Sequence, residues 1–251
     1  RLLGELKQEK VDGVLLDLRN NGGGSLSEAI DLTGLFVGKG PVVQQRNAKG
    51  EIQVESDKLQ QAAWTGPLGV LINRGSASAS EIFAAAIQDY DRGVVIGEPS
   101  FGKGTVQTVV NLDEVAQSPT PKFGELKFTI AQFFRVNGGT TQLRGVTPDI
   151  RLPGLFNLKT VGEESFDNAL PWTEIKATKY RKFGAAKALL PQLQQRHDER
   201  VKANPAFQRF VEDVDALAKQ RDKATISLNE KERRAEIEAA SKRARAEGEN
   251  G

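Results

Sequence analysis

A mixed α/β fold is the prediction for this 251-residue chain: a mixed β-sheet core of βαβ units, a small antiparallel appendage and an α-helical C-terminal extension. Three observations lead there. Up to Ile96, short apolar runs alternate with helical periods, the pattern of strands joined by crossover helices. After Gly104 the rhythm changes to β-branched and aromatic runs with no helical period between them. Beyond Trp172 glycine nearly vanishes. Residues 1–172 hold 22 of the 25 glycines, with 17 Lys or Arg and 20 Asp or Glu; residues 173–251 hold three glycines, with 18 and 13. That shift places a boundary near Pro171–Trp172, between a turn-rich core (1–172) and a charged helical extension (173–251).

Taken in order, Leu2 to Glu9 has a helical period. Gly13 to Leu18 reads as a buried strand. Ser25 to Val37 reads as a helix whose apolar face is Leu26, Ala29, Ile30, Thr33 and Leu35 to Val37. Pro67 to Ile72 is a second buried strand, Ser78 to Tyr90 a second helix, and Gly93 to Ile96 a third strand. Thr105 to Leu112 and Leu126 to Val136 form the antiparallel appendage, expected to close in a hairpin turn at Asn137-Gly138. Asn204-Pro205 pairs a capping residue with Pro at the first helical position. Phe207, Phe210, Val211, Val214 and Leu217 follow at helical spacing, a stripe that needs a packing partner. Glu230 to Asn250 is a charged, Ala-rich, solvated helix.

Composition excludes much chemistry. There is no Cys, no Met and one His, His197. Without Cys there is no thiolate nucleophile, disulfide framework or thiolate zinc site. One His makes no multi-His metal site, and no metal or cofactor is expected. His197 lies in the charged run Gln194 to Arg200, where a solvated surface role fits it. No apolar run is long enough to span a membrane. A start at Arg1 inside a helical period, with no Met in the chain, is expected of a segment of a longer protein.

Three strand-to-helix or strand-to-loop turns remain. Leu18-Arg-Asn-Asn-Gly-Gly-Gly-Ser25 allows positive φ and close backbone approach. Its N–H groups could hold an oxyanion, or it could be only a tight turn. Gly75-Ser-Ala-Ser-Ala-Ser-Glu81 leaves a hydroxyl uncovered at a helix start, but Ser78-x-x-Glu81 also reads as a capping box. Gly97-Glu-Pro-Ser-Phe-Gly-Lys-Gly-Thr105 nearly matches a phosphate-binding loop. It fails where Gly104 replaces the hydroxyl, and where a strand-forming run replaces the helix. What remains is Lys103 among small residues, where partial burial would lower its pKa toward that of a general base. A serine, a neutral lysine and a donor loop are the parts of a Ser-Lys hydrolase, which needs no His.

Together these motifs resemble the C-terminal processing peptidases, in particular the tail-specific protease branch. The resemblance rests on Asp17-Leu-Arg-Asn-Asn-Gly-Gly-Gly24, Ser76-Ala-Ser-Ala-Ser-Glu-Ile82, Gly97-Glu-x-x-Phe-Gly-Lys-Gly104 with Gln107, and Arg135-Val-Asn-Gly-Gly followed by Gly145-Val-Thr-Pro-Asp149. The Asp167 to Trp172 segment and charged tail resemble the C-terminal extension of that branch. The resemblance implies a serine protease core of crotonase/ClpP-like βαβ units. Ser78 would be the nucleophile, Lys103 the base and Gln107 the residue that orients the lysine. Ala79 with Gly23 or Gly24 would form the oxyanion hole. It implies an ATP-independent endopeptidase acting on proteins with apolar C-terminal tails. A substrate-capturing PDZ domain would precede the core, which this segment lacks. It also implies a periplasmic location, peripheral to a membrane at most, and room for an adaptor protein. The competing reading is a non-catalytic protein-binding module on a protease-like scaffold. Nucleic-acid binding is not expected, because acids are interspersed through the basic tail.

Overall fold

The computed structural model describes every residue except 118, 121, 155–159, 223, 224, 226 and 249–251. In chain order its first part contains α1 (Leu2–Gln8), β1 (Val14–Asp17), α2 (Leu26–Val37), β2 (Gly40–Asn47), β3 (Ile52–Asp57), β4 (Leu68–Ile72) and α3 (Ala79–Asp89). Then follow β5 (Val94–Gly97), β6 (Thr105–Asn111), α4 (Leu112–Val115), β7 (Glu125–Phe134), β8 (Ile150–Arg151) and α5 (Ala185–Ala203).

Two four-stranded sheets organise these elements. The first has the order β1-β4-β5-β8 and is parallel throughout. Its centre is the most apolar part of the chain: Val70, Ile72 and Val95 are completely buried. Such continuous burial is what a parallel strand covered on both faces requires. α3 covers it with a helix buried from Ser80 through Ile87, and Phe83 meets Phe36 of α2 edge-on at 5.8 Å between centroids. Each such side chain contributes about 1.5–3 kcal/mol by leaving water. The expected buried strand at Gly13–Leu18 is corrected in one respect. β1 is the sheet edge, with only alternate residues covered, and Leu15 stays 61% exposed.

The second sheet is antiparallel, in the order β3-β2-β7-β6. It is larger than the two-strand appendage expected, since β2 and β3 add a hairpin that turns at Asn47 to Gly50. The expected closure at Asn137-Gly138 is also corrected. β6 and β7 are joined through α4, and the Asn137-Gly138 turn instead folds the chain after β7 back on its end, with Gly138 N donating to Arg135 O at 3.0 Å and Arg135 N to Gly139 O at 2.7 Å. Gly138 has φ +98°, and a Cβ there would stand 2.1 Å from the Ile175 carbonyl oxygen, so the turn requires glycine.

The segment beyond Trp172 is tied to this core. The Trp172 indole N–H donates to the Thr140 carbonyl at 2.9 Å, and the Arg144 guanidinium stacks 3.9 Å from the Trp172 ring centroid. Ile175 N donates to Gly138 O, and Ala186 of α5 is buried with Val94 and Ile150. The first compact unit therefore runs Arg1–Pro205. A second unit, Ala206–Gly251, holds nearly all of α6 (Pro205–Asp222) and α7 (Glu230–Gly248). On α6 the expected stripe forms, with Phe207 and Phe210 rings 6.3 Å apart, but Phe210 and Leu217 remain 41% and 42% exposed.

Candidate active site

Three turns converge at the C-terminal edge of the parallel sheet, where β1, β4 and β5 end. The first follows β1. Asn20 and Asn73 exchange hydrogen bonds of 2.8 and 2.9 Å, and the Ser76 hydroxyl donates to the Leu18 carbonyl at 2.7 Å. Asn21 holds the glycine run to the serine turn. Its carbonyl accepts from Ala77 N at 3.0 Å, and its Oδ1 accepts from Gly23 N at 3.0 Å and Ser80 Oγ at 2.9 Å. The backbones touch here. A Cβ on Gly23, whose φ is +95°, would lie 2.8 Å from Ala79 N and 2.9 Å from Ser78 Cβ. Gly24 faces open space.

The second turn carries the three serines, and burial separates them. Ser76 and Ser80 are buried and spend their hydroxyls on Leu18 and Asn21. Ser78 is half-buried. Its backbone sits at φ 57°, ψ −114°, a region that costs a non-glycine residue about 1–3 kcal/mol. The expected capping box between Ser78 and Glu81 forms, and in it Glu81 Oε2 accepts from Ser78 N at 2.8 Å. Ala79 is the first residue of α3, where the helix has no acceptor for its N–H.

The third turn is the Gly97 to Gly104 loop. It crosses the serine turn, with Phe101 N donating to Ser76 O at 2.9 Å. Glu81 is completely buried and binds the loop from below. Its Oε1 accepts from Ser100 Oγ at 2.6 Å and Gly102 N at 2.7 Å, and its Oε2 accepts from Lys103 N at 2.9 Å. One carboxylate oxygen therefore holds the amides of both Ser78 and Lys103, so the two nitrogens are no farther apart than the sum of those bonds. Gln142, also completely buried, accepts from Gly104 N at 2.8 Å and donates to Glu163 at 3.1 Å.

Electrostatics follow from this packing. Burial pushes the Glu81 carboxyl up to about 7 against the four donors that favour its charge. The Lys103 ammonium is pushed below its ordinary value, first by partial burial and then by repulsion from Lys127, with Glu163 and Glu81 opposing. Gln107 is exposed on β6 opposite Thr129. β6 opens at Thr105, so Lys103 precedes the strand rather than starting it. The structure thus gathers Ser78, Ala79, Gly23 and the Lys103 backbone, and leaves Gln107 on the adjoining sheet. Pattern reading missed Glu81 as the hub: its place in the capping box was legible, its bonds to residues 19 to 22 positions away were not.

A cavity of about 270 Å³ adjoins the glycine loop and the start of α3, lined by Gly23, Gly24 and Ala79 together with apolar Ala29, Leu32 and Phe83. Among the described residues no cluster of His, Cys, Asp and Glu could hold a metal ion.

Residues 1–152 match the family model described as Peptidase family S41. The chain belongs to that family. Residues 156–250 match the C-terminal domain of tail specific protease. The chain is 44% identical over 239 residues to the tail-specific protease of Haemophilus influenzae, covering 94% of this chain and 34% of that protein. It is 43% identical over 147 residues to the carboxy-terminal-processing protease of Bartonella bacilliformis, covering 58% of this chain and 32% of that one. The chain thus spans about a third of the length of these S41 relatives. The solved photosystem II D1 C-terminal processing protease superposes with a TM-score of 0.52 at 36% identity, over 59% of this chain and 36% of that one. Mature CPAF, at 14% identity and a TM-score of 0.50, shares the fold over 81% of this chain and 47% of that chain.

Proposed function

We propose that this S41 chain is the catalytic core of a serine endopeptidase with a Ser78–Lys103 dyad, acting on polypeptides through their C-terminal tails. One observation carries the reading. Of the three serines, the one that is half-buried and held in a strained backbone is also the one whose amide shares a carboxylate oxygen with Lys103. Neutral Lys103 takes the Ser78 Oγ proton as Oγ adds to the scissile carbonyl carbon. The resulting ammonium then protonates the leaving amine as the C–N bond breaks. Water, deprotonated by Lys103, hydrolyses the acyl-serine and restores both groups. Gln107, on the strand that follows, orients the Lys103 side chain.

For the tetrahedral oxyanion we assign the amides of Ala79 and Gly24. Gly23 N is already given to Asn21 Oδ1, so Gly23 provides close approach and Gly24 the second donor. Gly23→Ala is expected to lower turnover by about 10² or more, the scale of losing an oxyanion donor, because its Cβ would displace Ala79 N. Gly24→Ala keeps the amide and meets open space, so turnover stays within a few-fold. Equal losses in steady-state assays would overturn this assignment.

The apolar cavity beside Ala79 suits an aliphatic substrate side chain, in keeping with apolar tails. Catalysis is ATP-independent in this reading, since the near phosphate-binding loop runs into β6 and not into a helix. We place the protein in the periplasm, with delivery of substrates by an adaptor. Among the described residues no helix is long and apolar enough to cross a membrane. The test is labelling with a fluorophosphonate probe, read by mass spectrometry. One adduct on Ser78, absent in Ser78→Ala, is expected. An unlabelled, folded protease would instead favour a non-catalytic binding module.

A further inference from the structure

The end of α3 remote from Ser78 borders a second cavity, of about 550 Å³, that the proposed chemistry does not use. With 11 residues in α3, it lies about 16 Å along the helix from the serine turn. Its inner wall is aromatic. Tyr90 is only 4% exposed, its hydroxyl donates to the Pro41 carbonyl, and its ring meets Tyr180 at 5.2 Å and Phe183 at 6.2 Å. The mouth is cationic. Lys39, Lys179, Arg181 and Lys182 line it, all exposed, and none forms an ion pair among the described residues. Asp89, the carboxylate that acts on Tyr180, is committed to Arg135 at 2.6 Å and Asn137 at 2.9 Å. Phe183 N donates to the Tyr90 carbonyl at 2.8 Å, so the basic segment is fastened to α3 by its backbone.

Four like charges around an aromatic hollow, without ion-pair partners among the described residues, make an arrangement that an anionic ligand relieves. The hollow sets the shape of that ligand. A membrane surface needs several apolar groups that protrude, whereas here Phe183 alone is well exposed, at 51%, and Tyr90 is recessed. A chain with carboxylates flanking one aromatic side chain matches both parts, placing a ring against Tyr90 and Tyr180 and the acids on the rim.

We infer that the cavity between Tyr90, Tyr180 and Phe183 is a docking site for an acidic polypeptide segment bearing an aromatic residue, separate from the site at Ser78. The segment binds by ring insertion and by pairing with Lys39, Lys179, Arg181 and Lys182. Such a site, on the reading of Ser78 proposed above, would hold a substrate by a second point and so raise its effective concentration at the serine turn.

The test uses fluorescence anisotropy on the Ser78→Ala protein, which cannot cut the probe. The probe is a labelled Asp/Glu-rich peptide with a central Phe, compared with its Asn/Gln counterpart. Binding of the acidic peptide at least about tenfold tighter, falling steeply between about 50 and 200 mM salt, is expected. The Lys179→Glu/Arg181→Glu/Lys182→Glu variant should remove it, and Tyr180→Ala should weaken it. Should the triple variant fail to fold, Lys179→Gln/Lys182→Gln serves instead, with at least a several-fold loss expected. Equal binding of the two peptides, or no loss in the charge variants, overturns the site. So does tighter, charge-dependent binding to phosphatidylcholine vesicles with about 30% phosphatidylserine that the acidic peptide does not displace, which would make the face a membrane contact.

Discussion

Lys103→Met is expected to lower turnover by about 10⁴-fold or more while the chain stays folded. Methionine keeps most of the apolar stem that packs in the loop and removes the amine. No other group in the chain replaces it. There is no cysteine, and the one histidine lies on α5, far along the chain from the serine turn. Ser78 would then have no base at neutral pH. The pH profile sharpens the expectation. Burial and Lys127 both push the Lys103 ammonium down, so the neutral amine appears at lower pH than for an ordinary lysine. Activity therefore rises with pH through that lowered value. Lys127→Ala removes a repulsion, raises the Lys103 value and moves the rising limb to higher pH. Glu163→Gln removes an attraction and moves it lower. Initial-rate profiles of the two variants displaced in the same direction would overturn the assignment of Lys103 as the titrating base.

How much of this was legible in sequence depends on the range of the interactions. β4, α3 and β5 read correctly because their own residues announce burial, as in Leu68 to Ile72 and the apolar run of α3. β2 and β3 carry only a weak apolar signal, Val42-Val43 and the alternating Ile52 and Val54, set among Gln44, Gln45, Arg46, Gln53 and Glu55, and Gln44 is buried although polar. Their place comes from pairing with β7, whose register sets Gln44 against Phe134. The position of β1 at a sheet edge is likewise a property of strand order. At the site, motif and resemblance pointed to Ser78 among three serines; in the structure Leu18 and Asn21 occupy the hydroxyls of the other two. The proposed preference for Gly24 over Gly23 rests on the Asn21 side chain, which no spacing rule anticipates.

Glu81 supports the second large expectation. Its two oxygens accept from four donors, Ser78 N, Lys103 N, Gly102 N and Ser100 Oγ, of which only the Ser100 hydroxyl could turn to accept. Glu81→Gln preserves size but turns one oxygen into an NH₂. If the NH₂ replaces Oε2, the amides of Ser78 and Lys103 lose their acceptor; if it replaces Oε1, Gly102 N does. Each unpaired buried donor costs about 1–3 kcal/mol, so the variant should unfold at clearly lower urea and lose the shared anchor of Ser78 and Lys103. The pH dependence has a definite sign. Burial raises the folded-state pKa from the ordinary 4.5 to about 7, so the folded chain holds this proton more tightly than the unfolded chain does. The contribution of Glu81 to stability is then fully present below about 4.5 and is lost as pH rises through about 7. Glutamine has no proton to lose, and the slope of unfolding free energy across that window should flatten in Glu81→Gln. An unchanged slope, or an unchanged urea midpoint, would show that the donors around Glu81 find other partners and that it does not bind the two halves of the site together.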